Sequence, residues 1–286
     1  MKGCVYYDGT ISKRTQTCLT VKGGDWMKEL IKSELQYIEL TENVKIIYAC
    51  ESGSRAWGFP SKDSDYDVRF IYLRPSEWYL SIFENKDVIE KPISDLMDIN
   101  GWDLCKALKL LRKSNPPLYE WLHSPIVYHE DSGIVEQIRQ LAKASFNPRS
   151  CMHHYLHTAK GNFREYLQGD FVRAKKYFYV LRPVLACRWI EANNSMPPTE
   201  FEKLLALVHD EQLLSAINEL LNRKKAGDEL DSVPKIIEIN EYLVQELKFL
   251  EELVKTTDKP EPESESIFNK AFRNILEDVW GKNFSR

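Results

Sequence analysis

The chain is 286 residues long, 43% aliphatic, aromatic or cysteine and 29% charged, with a formal net charge of −4. That is enough for one large domain or two smaller ones around a substantial core, and it excludes a disordered chain and any global pull toward nucleic acid. No apolar run approaches the ~20 residues that cross a bilayer, the first residues lack a signal-peptide core, and six scattered cysteines argue for reduced thiols in a cytoplasm over a disulfide framework or zinc site.

Met1 to about Asp25 alternates weakly between apolar and polar residues and reads equally as a hairpin, an edge strand or neither. Trp26 to Ile38 reads as a helix leading to the first strand. Val44 to Cys50 is β-branched and apolar between polar Glu42-Asn43 and Glu51-Ser52, which predicts a buried strand. Glu51-Ser52-Gly53-Ser54 then supplies a tight turn, since glycine takes backbone angles that others avoid. Ser54 to Trp57 opens a short helix whose free N–H groups attract phosphate oxygens, and the serine hydroxyl adds one donor.

After the loop Gly58 to Lys62, Asp65 to Leu73 reads as a second strand. Residues two apart on a strand share a face, so Asp65 and Asp67 sit side by side. Adjacent carboxylates repel unless a divalent cation lies between them, and magnesium, with its preference for oxygen ligands and substrate phosphates, suits the position. Alone, an Asp-Ser-Asp-Tyr-Asp run is usually a solvated turn, and Gly-Ser pairs are common in loops. The fixed order of strand, turn, short helix and acidic strand is what favours nucleotidyl transfer, which needs a phosphate grip facing metal-binding carboxylates.

Leu104 to Leu111 is strongly helical, with Asp103 placed to cap it, and it ends near Asn115-Pro116-Pro117. Leu118 to Leu122 starts another helical turn. From Ile134 the period is 3.6 almost throughout, broken at Asn147-Pro148, Gly169-Asp170, Asn193 to Pro198 and Gly227-Asp228. Lys255 to Ser266 is proline- and acid-rich and reads as an exposed linker. Ile267 to Trp280 carries apolar residues at helical spacing, as a last helix docking on its own body.

The organisation expected is therefore a catalytic domain over residues 1–130, a helical domain over 131–255, a flexible linker at 256–266 and a C-terminal helix at 267–286. The fold class is α+β: a mixed α/β core with a small mixed sheet, then a mainly α-helical C-terminal domain.

Charge is concentrated in the helical part, where seven lysines and arginines between residues 160 and 190 face only Glu165 and Asp170. Lys175, Tyr179 and Arg182 fall at i, i+4 and i+7, one helix face, with Lys176 on the neighbouring stripe. Cations and an aromatic so arranged suit a triphosphate and a stacked base; the plainer alternative is solvated lysines and a core Tyr179. His153, His154 and His157 include zinc-like i, i+4 spacing, but no nearby carboxylate or cysteine completes a set, so zinc is rejected. Trp57, Trp102 and Trp121 read as packing residues.

Gly53-Ser54 with Asp65 and Asp67 resembles the signature of the DNA polymerase β-like nucleotidyltransferase superfamily. GSRAWGFPSKDSDYDVRFIYL, INGWDLCKALKLLRKSNPPLYEWLHSPIVY and KKYFYVLRPVLACRWIE, within about residues 44–205, resemble its branch associated with RNA ligases and RNA repair. The resemblance implies a third carboxylate on a following strand, completing a two-metal site with Asp65 and Asp67. Asp98 is the choice, with Asp95 and Asp103 as competitors. It further implies magnesium (manganese as a substitute) at Asp65, Asp67 and Asp98, and a nucleoside triphosphate held by Gly53, Ser54, Lys176, Tyr179 and Arg182.

The activity implied is transfer of a nucleoside monophosphate to a hydroxyl acceptor with release of pyrophosphate, the acceptor being an RNA end. A protein acceptor, as in nucleotidyltransferase antitoxins, is the second reading. A non-catalytic nucleotide- or RNA-binding module is the third, against which the intact Asp65 and Asp67 argue. Fold analogy alone does not choose the acceptor.

Overall fold

A computed structural model describes residues 25–92, 96–227, 232–258 and 260–281. The expectations for residues 1–24, and for Asp95 as a metal ligand, lie outside them. In chain order the first part comprises α1 (Asp25–Glu42), β1 (Lys45–Glu51), α2 (Gly53–Ala56), β2 (Tyr66–Leu73), α3 (Ser76–Tyr79), β3 (Val88–Glu90), β4 (Met97–Asp103), α4 (Leu104–Arg112), α5 (Pro116–Leu122) and β5 (Val127–Glu130). The second comprises α6 (Ser132–Ser145), α7 (Pro148–Tyr166), β6 (Phe171–Val172), α8 (Lys175–Asn193), α9 (Phe201–Leu205), α10 (Glu211–Ala226), β7 (Val233–Pro234), α11 (Ile237–Thr256) and α12 (Glu265–Trp280). The fold is α+β, as expected, with a five-stranded mixed sheet followed by a mainly helical part.

The sheet order is β3-β4-β2-β1-β5, with β2 and β4 parallel and the other pairs antiparallel. The central strands are apolar on both faces because both faces are covered. On one side Met27, Ile31, Leu35 and Ile38, a 4-4-3 spacing along α1, pack on Ala49, Val68, Phe70 and Ile99. On the other, Ile71 and Leu73 meet Leu104, Leu108 and Leu111 of α4 together with residues of α5 and α6. Alternation along β2 therefore puts Asp67 and Arg69 on the same face as Ile71, at the strand end that α4 does not cover.

That second layer is completed from far along the chain. Phe268, Ile275 and Leu276 of α12 are buried in it, Phe272 meets Tyr79 edge-on at 5.0 Å, and Arg112 Nε donates to the Glu263 carbonyl at 3.0 Å. The segment leading to α12 is tied as well, since Asn147 Nδ2 donates to the Pro260 carbonyl at 3.2 Å.

The helical part has its own core, built from α7, α8, α9, α10 and α11. Phe59, from the loop after α2, is buried in it at 1% exposure, with ring centroids 4.7 Å from Phe178 and 5.5 Å from Phe201. The Phe201 amide also donates to the Trp57 carbonyl at 2.9 Å. The motif loop of the first part is thus plugged into the second. Among the described residues no helix is long and apolar enough to cross a membrane.

Candidate active site

The turn after β1 is built around Gly53, whose φ of +56° favours glycine. A Cβ there would lie 1.9 Å from Asp67 Oδ2, so only glycine lets the Asp67 carboxylate rest against the turn. The Ser52 amide donates to the Asp67 carbonyl at 2.8 Å, locking turn to strand.

Ser54 Oγ donates to Ser64 Oγ at 3.2 Å, and Ser64 Oγ lies 3.0 Å from Ser61 Oγ, a chain of hydroxyls that folds the 58–65 loop onto α2. Arg55 holds the other side of that loop: Nε donates to the Asp65 carbonyl at 3.0 Å and Nη2 to the Ser64 carbonyl at 2.7 Å, while the guanidinium lies 3.7 Å from the Tyr66 ring centre. Asp65 is thereby presented on an exposed shoulder and Asp67 half-buried beside it.

Asp98 is the register partner of Asp67 across the parallel pair β2–β4. Arg69, two residues along the same face, reaches both: Nη2 is 3.1 Å from Asp67 Oδ1 and 2.7 Å from Asp98 Oδ2. Asp103 stands elsewhere. It pairs with Tyr72 at the far end of β4, caps α4 by accepting from the Cys105 amide at 2.8 Å, and accepts from the Tyr79 hydroxyl at 2.8 Å.

Burial raises the Asp67 pKa above the ordinary carboxylate range; Arg69 opposes this, and the charges of Asp65 and Asp98 push it further up. Two guanidinium groups, those of Arg69 and Arg55, thus offset the effect of burial and of the neighbouring carboxylates only in part. Among the described residues no three His, Cys, Asp or Glu side chains are gathered tightly enough to ligate one ion. Arg69 holds the place between Asp67 and Asp98. The donor set nonetheless fits a hard divalent cation: carboxylate oxygens only, on adjacent strands, with negative charge left over.

Behind the carboxylates Glu51 is fully buried. Its Oε1 accepts from the Asp67 amide at 2.9 Å, and its other oxygen accepts from the Tyr128 hydroxyl. Burial pushes its pKa from 4.5 up to about 7. Glu51 therefore fixes the height of Asp67 on the strand.

The helical part supplies the facing wall. Tyr179 meets Trp57 edge-on at 6.1 Å, and Lys176 Nζ lies 4.1 Å from the Tyr166 ring centre and 4.6 Å from that of Tyr179. Burial raises the Tyr179 pKa, and the charges of Asp67 and Asp65 raise it further. Burial also lowers the Lys176 pKa, helped by the charge of Lys175.

Arg182 shares the helix but turns inward. It is 4% exposed, its Nη1 donates to Glu120 Oε1 at 2.7 Å, its Nη2 donates to the Thr199 carbonyl at 3.3 Å, and Trp57 covers its guanidinium at 4.8 Å. Its charge is committed to the protein, in contrast to Lys176. A pocket of about 180 Å³ lies between Trp57, Pro116, Glu120, Tyr155, Tyr179 and Arg182. Trp57 thus lines a cleft, whereas Trp102 and Trp121 pack on each other at 3.9 Å.

The structure brings Gly53, Ser54, Asp65, Asp67 and Asp98 to one end of the central strands, while Lys176 and Tyr179 lie on α8 of the helical part. Four residues escaped the sequence reading. Arg69 was legible in principle, being two residues from Asp67 on one strand face. Glu51 read only as the polar end of β1. Glu120 sits in a short helix with nothing local to mark it. Lys224, on α10, places its ammonium 5.6 Å from the centre of the Phe59 ring, with its pKa lowered by burial and then by Lys175.

A turn that grips one strand's carboxylate, set against two further carboxylates, is an arrangement proper to nucleotidyltransferases. The chain belongs to the RNA repair pathway DNA polymerase beta family, whose model matches residues 27–274. It is 49% identical over 255 residues, 89% of this chain and 98% of the other, to the uncharacterized protein YcgL of Bacillus subtilis (strain 168). Among solved structures, a nucleotidyltransferase-like protein from Exiguobacterium sibiricum 255-15 matches 88% of this chain and 80% of its own at a TM-score of 0.32 and 10% identity.

Proposed function

We propose that the protein transfers a nucleoside monophosphate from a nucleoside triphosphate to the hydroxyl of an RNA end, releasing pyrophosphate. The observation that carries this reading is the register pair Asp67–Asp98 with Asp65 beside it, next to a glycine turn on which the Asp67 carboxylate rests. The family, described by an RNA repair pathway, supports RNA over protein as acceptor.

Asp65, Asp67 and Asp98 would hold magnesium, which when bound stabilises the charge on the attacking and leaving oxygens of an in-line displacement. Gly53, Ser54 and Lys176 hold the phosphates, Lys176 offsetting the charge that grows on the departing pyrophosphate. Asp98 orients the acceptor hydroxyl and takes its proton as the new bond forms between acceptor oxygen and α-phosphorus. The bond from that phosphorus to the bridging oxygen breaks. Tyr179 and Trp57 flank the base. Arg182 acts at one remove, by holding Glu120. A reducing, cytoplasmic setting accords with Cys50, Cys105, Cys151 and Cys187, all unbridged.

The test is label transfer from each of the four α-labelled nucleoside triphosphates, with magnesium or manganese, offering total RNA and total cell protein beside an Asp65→Ala/Asp67→Ala control. Label on RNA that the control abolishes is the expected result. Label on protein alone would overturn the choice of acceptor, and label on neither, with no nucleotide bound, would overturn the activity.

A further inference from the structure

We propose that the pocket walled by Trp57 and Tyr179 receives the nucleobase, and that the unpaired oxygen of Glu120 selects bases bearing an exocyclic amine (adenine, cytosine, guanine) over uracil. This rests on the nucleoside triphosphate reading of the site.

Position comes first. Trp57 is the residue that ends α2, its amide donating to the Gly53 carbonyl at 3.0 Å, so one wall of the pocket is a single turn from the proposed phosphate grip. Tyr179, which also lines the pocket, meets Trp57 edge-on at 6.1 Å. A ring in the pocket therefore has the proposed phosphate site as its neighbour.

Size and surface follow. At about 180 Å³ the cavity is smaller than the ~300 Å³ at which pockets begin to enclose a drug-sized molecule, so it takes one ring system and leaves sugar and phosphates outside. Its apolar lining (Trp57, Phe178, Tyr179, Pro116, Pro117, Pro183) offers faces for stacking, which every base can use and which does not discriminate.

Discrimination comes from the polar atoms. Glu120 Oε1 accepts from both the Tyr155 hydroxyl and Arg182 Nη1, each at 2.7 Å, whereas Oε2 accepts from no protein group among the described residues. The side chain is 12% exposed and lines the pocket. Near it, Asn162 Nδ2 donates to the Thr158 carbonyl at 2.9 Å and Thr158 Oγ1 to the His154 carbonyl at 3.1 Å. Asn162 keeps its carbonyl oxygen and Thr158 its hydroxyl lone pairs for a ligand.

Glu120 Oε2 is the charged acceptor of this wall and asks for a donor. An exocyclic amine supplies one. Uracil presents one N–H flanked by two carbonyls, and those carbonyls would meet the carboxylate as like against like.

The experiment measures equilibrium binding of ATP, CTP, GTP and UTP to the full chain with magnesium, together with purine riboside triphosphate, which is ATP without its amine. UTP should bind at least about tenfold more weakly than the best of the other three, and loss of the amine should weaken ATP about tenfold, the scale of one hydrogen bond to a charged group. Glu120→Gln, checked for folding by its melting curve, should narrow the gap to UTP because an amide also donates. If that variant does not fold, the ligand series on the unaltered protein decides. UTP binding as tightly as the others would overturn the proposal and leave the nucleotidyl-transfer reading standing. Failure of all four triphosphates to bind would overturn both.

Discussion

Asp67 and Asp98 face each other across two parallel strands, and a single guanidinium, that of Arg69, clasps both at 3.1 and 2.7 Å. Arg69 thus does for the metal-free protein what a divalent cation would do in its place: it separates charges that would otherwise repel. Replacing it with methionine should lower the stability of the metal-free protein by about 1–3 kcal/mol, the scale of hydrogen bonds to charged groups. Magnesium should then raise the melting temperature of Arg69→Met more than that of the unaltered protein. An equal response in calorimetry would show that metal and arginine do not share the site.

Gly53→Ala tests the turn. Its Cβ would lie 1.9 Å from Asp67 Oδ2, and the φ of +56° adds backbone strain. The carboxylate must move, and a displacement on the order of 1 Å costs roughly a hundredfold in rate. Label transfer should fall by about that factor while the melting temperature changes little by comparison. Full activity would remove Gly53 from the site.

Glu51 gives a dependence on pH with a definite sign. Its pKa is raised by burial from 4.5 to about 7 in the folded protein, so the folded state favours the protonated acid. The stability this contributes is complete below about pH 4.5 and is lost as pH rises through about 7, a change of about 3 kcal/mol. Glu51→Gln cannot ionise. In chelator, its stability relative to the unaltered protein should therefore increase between pH 4.5 and 8, as followed by urea unfolding at each pH. A constant difference would mean that Glu51 does not titrate there.

Lys224 lies over the ring of Phe59, whose amide donates to the Ser54 carbonyl at 3.1 Å, so one residue joins this ammonium to the loop that follows the proposed phosphate grip. Burial and the charge of Lys175 disfavour it, which an incoming polyphosphate would relieve. Lys224→Ala should weaken triphosphate binding about tenfold and leave monophosphate binding unchanged, the contrast being read by titration of the two ligands. Equal losses for both would point to a structural effect.

The legible parts of this protein were the local ones. The strand over Val44 to Cys50, the glycine turn, the Asp103 cap and the apolar stripe of α12 all follow from spacing within a few residues; the strand expected from Asp65 begins at Tyr66 and leaves Asp65 exposed ahead of it. What escaped was set by partners distant in sequence. Glu51 owes its role to Tyr128, 77 residues away, and Arg182 is drawn inward by Glu120, 62 residues before it. A helix face predicts that Lys175, Tyr179 and Arg182 lie together; it cannot say that a buried acid waits for one of them. Asp98 entered only through a family resemblance, and the register of β4 against β2 supplies the physical reason for weighing it above Asp103.

The packing of α12 bears on the order in which the protein can be completed on the ribosome. The sheet and its reacting side chains are synthesised early, yet the layer behind them stays open until Phe268, Ile275 and Leu276 arrive. Arg112 waits through 151 residues for the carbonyl of Glu263. A nascent chain halted before α12 would carry Asp65, Asp67 and Asp98 on a scaffold with an uncovered apolar flank, a substrate for chaperones and proteases. Translation arrest in this stretch would thus yield a protein with its proposed chemistry written in full and its scaffold unfinished.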